Sequence, residues 1–330
     1  MQTLNVLILG GAGFAGSWLV ESLLDSGHKV SVLDVVAPSH AGNLKDVLEH
    51  VDYCWKSIQD MSPRDLQERE IEVVIDFAAQ ADVPMGLSSP IWTAQTNLVG
   101  LFSVLETLKN CKIQRFIYPG SGTVFGRSFY LPLDELHPLT PANPYSATKA
   151  AAEVICLAYH RCYGIPVVVL RNGLVFGPRM RKEIVIAKFL INALLGKPLI
   201  VEGGDQTRDP NYVGNVVDAF ESVIDASDTV VGEVFHLGGG TEVSIAELAR
   251  MCVEATASDS PIVRVDYRPG ERVMKQAMNI NKANRILGYH PKIDLAKGLR
   301  LTADWLAKEM QSRPQSIVES EVAQLANGTN

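Results

Sequence analysis

One glycine-rich turn near the start of the chain constrains its fold more than any other feature. The apolar run at residues 4–9 leads directly into Gly10-Gly11-Ala12-Gly13-Phe14-Ala15-Gly16, a G-x-x-G-x-x-G pattern that opens a helical stretch ending near Gly27. Gly10 can take the tight turn, Gly13 lets the backbone approach a pyrophosphate, and Gly16 lets the helix pack closely on the strand. The helix start adds unpaired N–H groups and a partial positive charge, both suited to phosphates. Asp34 closes the next apolar run, where a carboxylate can accept hydrogen bonds from both hydroxyls of a ribose. A 2′-phosphate would be repelled there, and no Arg or Lys follows until Lys45, so NAD is expected rather than NADP. A strand before, a helix after and Asp34 beyond make this a dinucleotide site rather than a mere packing turn.

Further apolar, β-branched runs at 29–33, 73–77, 115–118 and 167–170 alternate with helical stretches. That alternation predicts an α/β fold, a doubly wound parallel sheet of the Rossmann type with helices on both faces. After Arg171 the pattern loosens into Gly/Pro punctuation, and a second, smaller mixed α/β unit begins. Ser244 with Glu247 forms a capping box for a later helix.

Composition excludes several function classes. A net charge of −7 argues against nucleic acid, whose binding needs a basic surface. Five scattered cysteines without a C-x-x-C suggest neither a disulfide framework nor zinc, and seven histidines show no ligand spacing. No metal is expected, and a reducing cytoplasm fits best. The uncharged, largely apolar stretch at 6–20 is too short for a membrane span, and neither signal peptide nor anchor is expected.

The catalytic signal is Asn143-Pro144-Tyr145-Ser146-Ala147-Thr148-Lys149, which reads as a helix start with Asn143 as N-cap and Pro144 at the first position. Tyr145 and Lys149 then share one helix face. Upstream, a strand ends in Tyr118-Pro119-Gly120-Ser121, delivering a hydroxyl to the carboxyl edge of the sheet, where ligands bind in such folds. An enzyme that takes a proton from an alcohol as hydride leaves needs a base ionised near neutrality. A free tyrosine, at pKa ~10, is about three units too weakly acidic, roughly 4 kcal/mol. A neighbouring ammonium and a cationic nicotinamide can supply stabilisation of that order in a desolvated cleft. Ser121 can hydrogen-bond the reacting oxygen.

These motifs, in this order, resemble the extended short-chain dehydrogenase/reductase family, in its sugar-nucleotide epimerase/dehydratase group, over nearly the whole chain. The family's H-x-A-A stretch is similar to Asp76-Phe77-Ala78-Ala79, its N-x-x-G to Asn97-Leu98-Val99-Gly100, and its S-S-x-x-V-Y-G to residues 120–126. Its G-P-R, Q-x-R-D and R-P-G-[DE] resemble Gly177-Pro178-Arg179, Gln206-Thr207-Arg208-Asp209 and Arg268-Pro269-Gly270-Glu271. The resemblance implies that Gly10, Gly13, Phe14, Ala15, Gly16, Asp34, Ser57, Ile58, Phe77, Ala78, Ala79, Asn97, Tyr145 and Lys149 hold NAD. It implies Ser121, Tyr145 and Lys149 as catalytic, and Thr123, Asn172, Arg179, Arg208 and Arg268 as contacts of a nucleoside-diphosphate sugar. It also implies an NAD-binding domain of 1–172 plus 213–239, a substrate domain of 173–212 plus 240–315, a tail of 316–330, and a homodimer paired through the Asn97 and Tyr145 helices.

Within the group, 4,6-dehydratases resemble one another in carrying Asp-Glu after the Ser/Thr, and decarboxylases a Glu two residues after it. Here those places hold Gly122 and Thr123, an arrangement that resembles hexose 4-epimerases, so epimerisation through a transient keto-sugar is the leading expectation. Gly177-Pro178-Arg179-Met180 instead resembles the decarboxylases, and a reductase or dehydrogenase would use the same Ser-Tyr-Lys set. A non-catalytic dinucleotide sensor need not keep all three. The chain departs from the family pattern at Ser57, Asp76, Leu174 and Gly214-Asn215.

Overall fold

The computed structural model of the chain describes residues 3–267 and 274–311. One 7-stranded sheet organises it, built from β1 (Asn5–Leu9), β2 (Lys29–Asp34), β3 (Asp52–Trp55), β4 (Val73–Asp76), β5 (Arg115–Ser121), β6 (Val167–Asn172) and β7 (Val234–Leu237). The spatial order is β7-β6-β5-β4-β1-β2-β3, every pair is parallel, and helices cover both faces, so the expected α/β doubly wound fold is what forms. Strand burial follows from this layering: β4 and β6 are buried along their whole length because neither face meets water. Ile8, Ile75, Ile117 and Phe220 belong to the core on one face, and Leu9, Val74, Tyr118 and Leu105 to the core on the other.

The strand order reverses between β1 and β4, since β1 pairs with β2 on one side and β4 on the other. In open α/β sheets the crevice outside the carboxyl ends at such a reversal is where ligands bind. Leu9, Asp34, Asp76, Ser121 and Asn172 all end strands along this edge.

The first helix, Phe14–Asp25 with Ser26 as C-cap, ends near Gly27 as read from the sequence. β5 runs through Tyr118 to Ser121, where the sequence places its end, because Pro119, Gly120 and Ser121 pair with Leu170, Arg171 and Asn172.

Residues after 173 build a further core of Phe176, Ile186, Leu190, Leu199, Leu248 and Leu299. Short strands frame it: Leu174–Phe176 with Pro210–Tyr212, and Leu199–Glu202 with Ile262–Val265. The Val213–Ile224 helix returns to the first core through Val216 and Phe220. Ser244 Oγ accepts from the Glu247 N–H at 3.1 Å, capping Ile245–Ala255 as the capping pattern predicts. Among the described residues no helix is long and apolar enough to cross a membrane.

Candidate active site

The glycine turn is built for close approach. Gly10 has φ +73°, and a Cβ there would lie 2.7 Å from the Ala78 nitrogen. A Cβ on Gly16 would lie 2.5 Å from the Gly10 carbonyl oxygen. Both positions are therefore closed to any side chain, the first by conformation and contact, the second by contact. Gly13 is the N-cap of the Phe14–Asp25 helix with no side-chain cap, which leaves N–H groups of the first turn, at Phe14 and Ala15, for an external acceptor. Phe77, Ala78 and Ala79 leave β4 as the wall opposite, Phe77 stacking on Phe220 at 4.9 Å between centroids.

Asp34 is buried and accepts from the Ala12 and Val36 N–H groups, each at 3.0 Å. One carboxylate thus ties the glycine turn to the end of β2. Two of its roughly four lone-pair positions remain for hydroxyl donors. This donor and acceptor set fits NAD: a cradle that a Cβ would fill, an uncapped helix start for phosphates, and an acceptor for ribose hydroxyls.

Three of the expected cofactor contacts, Ile58, Ser57 and Asn97, are engaged within the chain. Ile58 packs into the core, and a Cβ on Gly100 would lie 2.6 Å from its Cδ1. Ser57 caps its own turn through Gln59 N–H at 3.2 Å. Asn97, buried in a π-helical turn, Gln95–Val99, accepts from Gln80 N–H at 2.8 Å and donates to Gln80 O and Thr148 Oγ1 at 3.0 and 2.9 Å. Its amide clamps the β4 exit to the Tyr145 helix.

That helix, Pro144–Tyr163, starts as predicted: Asn143 Oδ1 accepts from Ser146 N–H at 2.9 Å with Pro144 in the first turn. Tyr145 and Lys149 are both buried on it, and a Cβ on Gly86 would lie 2.8 Å from the Tyr145 Cβ, so the Val83–Ser88 helix presses on the phenol's root. Ser121 ends β5; its hydroxyl bonds Thr123 Oγ1 at 2.9 Å and lies close enough to the Tyr145 phenol to pull its pKa down. Serine, threonine and tyrosine hydroxyls therefore converge at one point of the edge.

The electrostatics differ in part from the sequence reading. Burial pushes the Tyr145 phenol up, and the pull downward comes from Ser121 and Arg181, with Asp82 opposing. Lys149 donates instead to Tyr118 Oη at 2.8 Å, its Nζ 4.3 Å from that ring's centroid. Burial lowers Lys149 to about 8 while Asp76 holds it up. Burial raises Asp76 to about 7, against the pull of Lys149 and of its bond from Ala78 N–H. Tyr118, Asp76 and Arg181 escaped the sequence reading. Asp76 stands where the family motif has His, the one sequence signal for it, and Arg181 lies two residues beyond Arg179.

Among the expected substrate residues, Asn172 is brought to the site and Arg179 is not. Asn172 pairs in register with Ser121, and its Oδ1 is buried with no partner, an acceptor awaiting a donor. Arg179, at φ +71°, donates to Glu21 at 2.7 Å and reaches Ser17 at 3.4 Å, its guanidinium 5.7 Å from the Trp18 ring centroid. It serves the glycine-turn helix. Arg208 donates to the Thr207 carbonyl at 2.9 Å. Arg268 lies outside the described residues.

A Rossmann crevice carrying a Ser-Tyr-Lys set defines a short-chain dehydrogenase/reductase. The family profile of GDP-mannose 4,6 dehydratase matches residues 7–302. A dTDP-glucose 4,6-dehydratase of Streptomyces niveus is 30% identical over 315 residues, 92% of this chain and 92% of that protein. The structure of UDP-glucose 4-epimerase from Thermotoga maritima with UDP-glucose superposes with TM-score 0.86 at 30% identity, covering 93% of this chain and 100% of the other. UDP-glucuronic acid 4-epimerase from Bacillus cereus, in complex with UDP-glucuronic acid and NAD, gives TM-score 0.86 at 26% identity, covering 93% and 100%. The chain belongs to the extended, NAD-dependent short-chain dehydrogenase/reductase group of sugar-nucleotide epimerases and dehydratases.

Proposed function

We propose that this chain is an NAD-dependent epimerase of a nucleoside-diphosphate sugar that keeps its cofactor through each turnover. The observation that carries the reading is the Ser121–Thr123 hydroxyl pair beside Tyr145, with no carboxylate among residues 122–126. Eliminating water from C5 and C6, as a 4,6-dehydratase must, needs an acid and a base that this turn does not offer. NAD, when bound, supplies the hydride acceptor and returns the hydride. The chain's residues handle the proton: Tyr145 takes it from the sugar hydroxyl, Ser121 bonds the same oxygen, and both give it back after the sugar turns over. Lys149 holds its charge beside them. Asn172, with its orphaned Oδ1, and Thr123 orient the sugar.

The second core supports a substrate domain of 173–212 plus 240–315, for which Arg208 and Arg268 are the proposed diphosphate contacts. Exposed Ile91, Trp92, Val99, Phe102 and Val154 lie on the segments that hold Asn97 and Tyr145, and support a homodimer through that face. Free cysteines throughout support a cytoplasmic enzyme. A 4,6-dehydratase is the second reading, favoured by the Streptomyces relative.

The test is mass spectrometry of cofactor released from purified protein, followed by a screen of UDP-, dTDP-, GDP- and CDP-sugars. Recovered NAD and one sugar nucleotide interconverted without net NADH are expected. Loss of water from the product, or steady accumulation of NADH, would replace the epimerase reading.

A further inference from the structure

Behind Tyr145 lies a buried polar cluster that the proton chemistry above does not use. The register of β4 on β5 sets Ile75 beside Ile117, so Asp76 and Tyr118, the next residues, share one face of the sheet. Tyr118 packs there in one core with Ala152 and Cys156 of the Pro144–Tyr163 helix. Lys149, from that helix, donates to the Tyr118 hydroxyl at 2.8 Å. Asp76 is 3% exposed and Lys149 5%, so neither charge can be left to water.

The other ionisable groups facing Lys149 cannot balance it. Glu153 is held by the Arg171 guanidinium at 2.6 and 2.8 Å, which spends its charge. Burial pushes the Cys156 thiol and the Tyr118 phenol well up, and raises the Tyr145 phenol too, so all three stay neutral near pH 7. Asp76 is the carboxyl that remains. Its Oδ1 also accepts from Ala78 N–H at 3.1 Å, which fixes it to the wall of the glycine turn.

We propose that Asp76 is a positioning residue acting through Lys149: its carboxylate balances the buried ammonium and so keeps it charged on the catalytic helix. The proposal rests on the Tyr145 reading above. Below neutrality the ammonium stands beside a neutral acid; as Asp76 ionises the two compensate, and Lys149 stays charged to higher pH than burial alone allows.

The experiment is an NMR pH titration of isotope-labelled lysine side chains in the full-length, NAD-loaded protein, with the Lys149 signal assigned by its loss in Lys149→Arg. Asp76→Asn keeps the acceptor for Ala78 and removes the charge; Asp76→His, the family's residue, removes it with a different shape. In either variant the Lys149 midpoint should fall by about one unit or more, a tenfold change in its ionisation constant. In the unmutated protein the Lys149 signal should show a second, smaller step where Asp76 titrates, near neutrality. An unmoved midpoint in a folded variant, or a one-step curve in the unmutated protein, overturns the proposal. A Tyr145→Phe enzyme that still turns over would overturn the base assignment instead, and would leave the Lys149 titration as it was.

Discussion

The Asp34 carboxylate shows how much one side chain decides at this edge. It spends two acceptor positions on Ala12 and Val36 and keeps the rest for hydroxyls. A phosphate in place of a ribose hydroxyl would meet like charge in a buried site, a penalty of a few kcal/mol. Asp34→Ala should therefore weaken NAD by about 10- to 100-fold and NADP far less, read as dissociation constants by fluorescence titration. Equal losses for both cofactors would remove the ribose role. The residues around Tyr145 add a second lesson. Burial outweighs the downward pull of Ser121 and Arg181 on its phenol, so the chain alone leaves it a weak acid. The remaining stabilisation falls to the cationic nicotinamide of the bound cofactor.

At the scale of elements, the site depends on clamps between strands and helices. Asn97 joins the β4 exit to the catalytic helix with three hydrogen bonds. Asn97→Ala should cost about 2–4 kcal/mol, seen as a lowered melting temperature, and should loosen NAD as well. β6 and β7 meet the same helix through Arg171, which pairs with Glu153 and donates to His236 Nε2 at 3.1 Å. Burial lowers His236 to about 3. A histidine whose folded value is depressed contributes stability that is present above its unfolded value, near 6.5, and lost as pH falls toward 3. His236→Gln should flatten the melting-temperature decline over that window; an unchanged decline would remove His236 as its cause. The glycine turn, the catalytic helix with its Asn143 cap and the alternating strands were legible because each obeys a local rule of spacing. The clamp role of Asn97, the inward packing of Ile58 and the Glu21 pairing of Arg179 were not. Each is decided by a neighbour distant in sequence, which periodicity cannot report.

Over the whole molecule, the sheet reversal at β1 and β4 brings the glycine turn, Asp76, Ser121 and the Tyr145 helix to one crevice, while the apolar Ile91, Trp92 and Phe102 face outward. If that outer face pairs two copies, Trp92→Asp with Phe102→Asp should yield a monomer in analytical ultracentrifugation. A chain that sediments as a monomer before mutation would refute the pairing. The central claim is narrower: Tyr145 is the base of a redox-neutral interconversion. Its most direct test compares product formation by the native enzyme and Tyr145→Phe, both shown to retain NAD, on the sugar nucleotide found by the screen. The variant should lose at least about three orders of magnitude in turnover. Turnover within a few-fold of native, with NAD still bound, would contradict the account.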